Sequence, residues 1–269
     1  MSFSIRSAVP RRRRSLGLLA SVAASAAIGA TLVVPANAAL APAADGPVGV
    51  TDAATGFPSY YKDASGTQLK LCLDQPLCVG GNGLPDPTQP ASIATLNLPG
   101  ESFYAYAQAA ITLDGGGSLK WLAVLEGTWL TGDVVDGDQM TFTRIQLSGS
   151  KINTTRYPEN TVLTAHTPYG DITATVKKDG TLTRNRKESA PGIPENGFVR
   201  PATETTTGYG PTFLKWDAGA PAGFIGDPNV THTVTGAKTG QANAVQVFRG
   251  TTPVSPSVAQ FTVAGQIAP

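Results

Sequence analysis

The sequence predicts an all-β protein, an immunoglobulin-like sandwich that follows a cleaved signal peptide. Three observations support this prediction: an N-terminal export signal, 30 glycines and 21 prolines, and several segments in which polar and apolar residues alternate. Alternation with a period of two is typical of strands with one buried face, and glycine and proline mark the turns between them. Residues 39–269 are enough for one large β domain or two small ones.

Residues 1–38 have the three regions of a cleavable secretory signal in the usual order. A positive region at Arg6 and 11–14 precedes an apolar stretch at 16–34, and Ala36-Asn37-Ala38 matches an A-x-A cleavage site. We expect cleavage before Ala39, export by the general route rather than the twin-arginine route, and a secreted, extracellular product. A membrane anchor is the alternative, because about 20 apolar residues can span a bilayer. The A-x-A site favours cleavage.

Cleavage would remove five of the 20 Lys and Arg residues and none of the 19 Asp and Glu residues. The mature chain would then have 15 basic and 19 acidic residues, a formal net charge of −4. The basic run directs export, and no basic stripe follows it. This charge balance predicts no nucleic-acid partner and, after cleavage, no membrane partner.

Changes in amino-acid composition divide the chain after residue 38 into four segments. Residues 39–55 are rich in Ala, Pro, Gly and Asp and should form a flexible leader. Residues 56–183 should form a β domain. Residues 184–211 are polar and rich in Pro, Gly and Thr, which predicts a surface loop or hinge. Residues 212–269 should supply strands that complete the sandwich or form a second small domain.

The predicted strands begin with a hairpin that joins 60–62 to 67–72 through the turn 63–66. The clearest hairpin joins 103–113 to 119–130 through Asp114-Gly115-Gly116-Gly117-Ser118. Every second residue from Phe103 to Leu113 is apolar, and Tyr104 and Tyr106 should share the opposite face. The remaining strands are predicted at 140–147, 161–165, 171–177, 181–184, 212–216, 230–234, 244–248 and 260–263.

Cys72 and Cys78 are the only cysteines in the chain. Outside the cytoplasm such a pair normally oxidises, and Asp74-Gln75-Pro76 supplies a turn between them, so we expect a disulfide. The alternative is a metal site that uses both cysteines with His166 and His232. The cysteine spacing exceeds that of usual zinc ligands and the histidines lie far apart in the sequence, which favours the disulfide.

Several stretches resemble known proteins. Residues 213–217 read Phe-Leu-Lys-Trp-Asp, and residues 223–236 read Gly-Phe-Ile-Gly-Asp-Pro-Asn-Val-Thr-His-Thr-Val-Thr-Gly. Residues 57–63 and 136–140 are consistent with the same resemblance. Across most of residues 57–265 the chain resembles a family of exported, β-rich bacterial proteins of unassigned function. The resemblance implies secretion and a β-rich fold, and it implies no activity.

Two residues are candidate catalytic groups. Glu126 lies among apolar neighbours that would favour its protonated form, so it could serve as a general acid with a second carboxylate from Asp217 or Asp227. A Ser-His-acid triad would have to use one of the two histidines, His166 or His232, and His232 is near Asp227. We favour structural roles instead: Glu126 facing solvent or capping a strand end near Gly127, and both histidines fixing loops by hydrogen bonds.

Asp133, Asp136 and Asp138 place three carboxylates in one predicted turn. Calcium prefers oxygen-rich loops, so this turn is a candidate calcium site. Asp-Gly is also a common hairpin turn, and a plain turn is the interpretation that we favour. No other cofactor is predicted.

The aromatic residues complete the prediction. Trp121 and Trp129 should share one face of a strand, and Trp216 lies in the C-terminal part. Such rings can bind sugars but more often pack a core. We therefore predict a secreted, non-enzymatic protein that acts in surface recognition of a glycan or protein, or as an extracellular structural component. The alternative is a secreted polysaccharide hydrolase with Glu126 as its acid.

Overall fold

The computed structural model describes residues 48–52, 55–74, 76–79, 101–129, 139–183, 185–189 and 212–269, and at Glu101, Trp129 and 185–189 it describes the backbone alone. The expected export signal, most of the expected leader and the expected turn with Asp133, Asp136 and Asp138 lie outside these residues. What the sequence predicts about them remains a prediction.

The described residues form strands and no helix, which confirms the all-β class. The strands are β1 (Tyr61–Lys62), β2 (Gln68–Lys70), β3 (Glu101–Thr112), β4 (Ser118–Trp129), β5 (Gln139–Ser150), β6 (Val162–His166), β7 (Ile172–Thr175), β8 (Asn185–Ser189), β9 (Lys215–Trp216), β10 (Val234–Thr235), β11 (Gln246–Arg249), β12 (Thr252–Pro253), β13 (Thr262–Ala264) and β14 (Gln266–Ile267).

Two antiparallel sheets make up most of the fold. One has the strand order β13-β3-β4-β5-β8 and the other the order β12-β11-β6-β7. A three-stranded sheet, β1-β2-β14, and the ribbon β9-β10 complete the arrangement. The predicted hairpins β1–β2, β3–β4 and β6–β7 are all present.

The core lies between the two larger sheets and is centred on Trp121. This side chain on β4 is fully buried, and its ring centroid lies 6.1 Å from that of Tyr169 and 5.8 Å from that of Phe261. Tyr169 lies in the β6–β7 turn of the opposite sheet, so the contact joins the two sheets. Ala109 lies opposite Trp121 on β3, where its small side chain leaves room for the indole. Burying a side chain of this size contributes about 3 kcal/mol.

A β-bulge in β3 places the first residues of this strand on other faces than the alternation predicts. Phe103 pairs with Glu126 and Ala105 pairs with Leu125, so Tyr104 is an extra residue between them. Phe103 therefore lies on the face away from the core, where its ring is 5.6 Å from that of Tyr106. Tyr104 is fully buried in the core instead. The two tyrosines do not share a face as the alternation predicted.

The C-terminal strands join sheets that begin much earlier in the chain. β13 pairs with β3, β11 pairs with β6, and β14 pairs with β2. The range 184–211, predicted as a loop or hinge, contains the strand β8, which pairs with β5 at the edge of its sheet. Its residues are Asn-Arg-Lys-Glu-Ser, so the hydrophobic pattern carried no signal for this strand.

Candidate functional site

The predicted disulfide between Cys72 and Cys78 is present, with the two Cα atoms 5.3 Å apart. Both cysteines are buried, and neither sulfur is available to a metal ion. The loop that the disulfide closes is held by the C-terminal segment. Asn229 donates from Nδ2 to the carbonyl of Pro76 at 3.1 Å, and Gln266 donates to the Asp74 carboxylate.

Glu126 is buried, contrary to the expectation that it faces solvent. Only 1% of its side chain is exposed, and its Oε2 lies 2.9 Å from Nη2 of Arg144. Glu126 pairs with Phe142 across β4 and β5, and Arg144 is two residues further along the same face. The Arg144 guanidinium also lies over the Phe142 ring, 5.5 Å from its centroid. The sequence did not show this partner, because it lies on another strand.

His166 is held at the surface by the carboxylate that follows its turn. Its Nδ1 lies 2.6 Å from Oδ1 of Asp171, and both side chains are about half exposed. The imidazole meets the Phe248 ring edge to face, with centroids 4.5 Å apart. This agrees with the structural role predicted for His166, because the bond spans the β6–β7 turn.

His232 belongs to a second surface cluster, which we call the Trp–His patch: Trp216, Asp217, His232 and Thr233. The imidazole stacks on the Trp216 indole, with centroids 4.5 Å apart and an interplanar angle of 19°. Nδ1 of His232 lies 3.2 Å from Oδ1 of Asp217, and Thr233 donates from its hydroxyl to Oδ2 of the same carboxylate at 2.8 Å. His232 and Asp217 are 35% and 49% exposed, so the patch is open to solvent.

The β9–β10 ribbon builds this patch. Trp216 pairs with Val234, which places Asp217 beside Thr233 and His232. Gly226 packs against the indole: a Cβ at this position would lie 2.9 Å from Nε1 of Trp216 and from the carbonyl oxygen of Val263. The structure pairs neither Asp217 with Glu126 nor His232 with Asp227, the partners that the sequence suggests. Pairing the predicted strands 212–216 and 230–234 as a hairpin would have found the observed partners.

Asp227 closes a local turn instead of contacting a catalytic histidine. Its Oδ1 accepts the backbone N–H of Asn229 at 2.7 Å and the Asn229 side-chain amide at 3.1 Å. Such an Asx turn stabilises the chain reversal before Val230.

The geometry fixes the proton of His232. Nδ1 faces two acceptors, the Asp217 carboxylate and the Thr233 carbonyl at 3.0 Å, so the proton of the neutral ring is on Nδ1. Nε2 is then a hydrogen-bond acceptor. In a hydrolytic triad the hydroxyl faces Nε2 and the carboxylate faces Nδ1. The Thr233 hydroxyl lies on the Nδ1 side, 3.5 Å away, and donates to Asp217.

Within the part of the chain that the structure describes, no three His, Cys, Asp or Glu side chains are grouped to hold a metal ion. The candidate calcium ligands Asp133, Asp136 and Asp138 lie outside it. The same part of the chain has no helix that is long and apolar enough to cross a membrane. No protein-family model, curated protein or solved structure matches this sequence. The resemblance to an exported bacterial family therefore remains a prediction.

Proposed function

We propose that the mature chain is an extracellular, immunoglobulin-like sandwich that acts by non-covalent recognition, with the Trp–His patch as its contact surface for a glycan. One observation supports this function above the others. A stacked aromatic pair lies at the surface with a carboxylate and a hydroxyl beside it. Binding sites for small polar ligands combine apolar ring surface with a few fixed polar groups of this kind.

The patch is organised before any ligand binds. Asp217 is held by Thr233 and by His232, and the indole under the imidazole packs against the core. Groups fixed in this way lose little conformational entropy on binding. The exposed face of the imidazole offers a ring to the C–H groups of a sugar, and Nε2 and the Asp217 oxygens accept hydrogen bonds from its hydroxyls.

The Glu126–Arg144 pair weighs against the alternative of a polysaccharide hydrolase. A general acid must carry a proton, and a guanidinium 2.9 Å away favours the charged carboxylate instead. Burial also separates this carboxylate from a polymeric substrate. A structural role explains the same geometry, because the pair joins two central strands on the face away from the core.

A binding experiment tests the proposal on the secreted protein, whose N-terminal sequence should begin at Ala39. We would titrate hexasaccharides of glucose, N-acetylglucosamine and mannose, with calorimetry as the readout. We expect at least one to bind with a Kd below about 1 mM, and His232→Ala and Asp217→Asn to weaken it about tenfold, a loss of about 1.4 kcal/mol.

His166→Ala is the matched control, because it removes a histidine that also has an aspartate and an aromatic neighbour but no stacked indole. This variant should bind as the wild type does. Absence of binding to all three sugars, or an equal loss in His166→Ala, would contradict the proposal.

A further inference from the structure

One end of the two larger sheets is closed by four chain segments: residues 113–118, 150–160, 177–181 and 249–254. Backbone hydrogen bonds hold these segments together. The backbone N–H of Ile152 donates to the carbonyl of Gly180 at 3.0 Å. The backbone N–H groups of Asn153 and Asp114 donate to the carbonyls of Gly116 and Val254, at 3.2 and 2.9 Å. We call this surface, together with the first residues of β4, the basic end.

Cations predominate at the basic end. Six basic side chains are exposed there: Lys120, Lys151, Arg156, Lys177, Lys178 and Arg249. The same region has three acidic residues, Asp114, Glu159 and Asp179, so its formal net charge is +3. The other nine basic and sixteen acidic residues of residues 39–269 give −7. The net charge of +3 at the basic end therefore has the opposite sign to the net charge of −4 of residues 39–269 as a whole.

Contacts within the basic end keep the cations close to one another. Arg249 donates from Nη1 to the backbone carbonyl of Arg156 at 3.3 Å. Lys151 precedes Ile152, which is bonded to the turn that contains Lys177 and Lys178. The carboxylate of Asp179 accepts two hydrogen bonds from Thr181, at 3.0 and 2.6 Å, and so stabilises that turn.

Lys151 has a backbone conformation that favours glycine. Its φ is 55°, in the left-handed region that non-glycine residues adopt at an energetic cost. A glycine here would be unstrained, so the lysine needs another reason to be present. Its position among five other exposed cations supplies one, since strained positions that persist are often functional.

We infer that the basic end binds an anionic extracellular polymer with repeating carboxylate or phosphodiester groups. Several cations on neighbouring, hydrogen-bonded loops match a chain of regularly spaced charges, and release of the polymer's counterions favours binding. The inference rests on the proposed export of residues 39–269. It does not depend on the Trp–His patch.

Two other polyanions fit the basic end less well. Single-stranded nucleic acid is usually held by exposed aromatic rings on which its bases stack, and Tyr157, the aromatic residue within these segments, is fully buried. A membrane surface usually needs apolar anchoring as well as charge. Among the described residues, the large exposed apolar side chain next to these segments is Val162.

The test uses the secreted protein immobilised on a sensor and five probes. Polygalacturonate presents carboxylates, poly(glycerol phosphate) presents phosphodiesters, and neutral dextran presents neither. Poly(dT) and vesicles of phosphatidylglycerol with phosphatidylcholine represent the other two classes. We expect one of the first two to bind best, dextran not to bind, and binding to weaken about tenfold or more between about 50 and 200 mM salt.

Two triple variants with the same change in charge locate the surface. Lys120→Gln, Lys151→Gln and Lys178→Gln together should weaken polyanion binding about tenfold, whereas Lys62→Gln, Lys70→Gln and Lys238→Gln together should change it less than about twofold. Thermal melting of both verifies folding. His232→Ala should leave this binding unchanged, so the two proposals fail separately. Equal loss in both triple variants, no binding to either anionic polymer, or tighter binding to poly(dT) or vesicles would overturn the inference.

Discussion

Tyr61 and Tyr104 meet edge to face in the core, with ring centroids 4.7 Å apart and an interplanar angle of 82°. Each hydroxyl has a partner: Tyr61 is hydrogen-bonded to the Thr141 hydroxyl, and Tyr104 donates to the carbonyl of Pro58 at 2.6 Å. The contact joins the first hairpin to the bulge of β3. Edge-to-face pairs add about 1 kcal/mol to the burial of the rings themselves.

This pair predicts a loss of stability at high pH. Burial raises the pKa of Tyr61 to about 12, and burial also raises the pKa of Tyr104 well above its ordinary value. Because the folded state favours the neutral phenols, their contribution is complete below pH 10 and falls as the pH rises toward 12. For Tyr61 the full loss is about 2.7 kcal/mol. Urea unfolding at pH 8 to 12 measures it.

Tyr61→Phe is the control for that experiment, because lysines lose their charge in the same pH range. The variant should be about 1 kcal/mol less stable than the wild type at neutral pH, owing to the lost bond to Thr141. It should also lose less stability between pH 10 and 12. If the free energy of unfolding falls equally with pH in the two proteins, Tyr61 does not contribute to the loss of stability at high pH.

The second prediction concerns the Glu126–Arg144 pair. Glu126→Gln leaves the largely buried guanidinium without its anionic partner and should destabilise the fold by about 3 kcal/mol, and Arg144→Met should have a similar effect. The double variant Glu126→Leu, Arg144→Met should recover most of this loss, because it leaves no buried charge. Urea unfolding of the wild type and the three variants measures the two losses and the recovery. Unchanged stability in Glu126→Gln would refute the structural role.

The third prediction concerns the disulfide. Cys72→Ser with Cys78→Ser should lower the free energy of unfolding by about 2 kcal/mol, since the closed loop is short. Reduction of the wild-type protein should add two hydrogens to its intact mass, and thiol labelling under denaturing conditions should find no free cysteine before reduction. A labelled cysteine in the unreduced protein would be inconsistent with the bond.

The fourth prediction tests the turn that contains Asp133, Asp136 and Asp138. If calcium binds there, it should reduce the repulsion between the carboxylates and raise the melting temperature. A calcium concentration about one hundred times the Kd stabilises the folded state by about 2.7 kcal/mol. A chelator should reverse the shift, and Asp136→Asn should reduce it. Asp179→Asn, in a turn already held by Thr181, is a control without calcium dependence. If the melting temperature changes with neither calcium nor chelator, the segment is a plain turn and binds no calcium.

The parts of the fold that follow local alternation could be predicted from the sequence. β5, β6 and β7 could be predicted because alternation of polar and apolar residues is visible within one strand, and β4 because a glycine-rich turn joins its apolar residues to β3. The bulge at Tyr104 could not be predicted in this way. A bulge is a shift in the pairing between β3 and β4, and the sequence of β3 alone does not show that pairing. β8 was missed for a different reason: its polar residues pair through the backbone at a sheet edge.

The candidate site depended even more on tertiary contacts. Glu126 and Arg144 become neighbours only when β4 and β5 pair, so the sequence could suggest a buried carboxylate but not its ion pair. His232 and Asp217 meet only through the β9–β10 ribbon. The disulfide could be predicted because two nearby cysteines in a chain with a predicted export signal leave few alternatives.

The pairing of β14 with β2 has a consequence for when this protein can fold. Gln266 bonds to Asp74 across 192 residues of sequence, and Ile267 pairs with Leu69 in the first hairpin. A chain that is still being synthesised lacks this third strand, so the sheet that contains the first hairpin is incomplete until residues 266–267 have left the ribosome. Contacts between such distant segments slow folding. Until they form, the edge of β2 is open to pairing with other chains, so the interval before residues 266–267 are in place is the period of greatest aggregation risk.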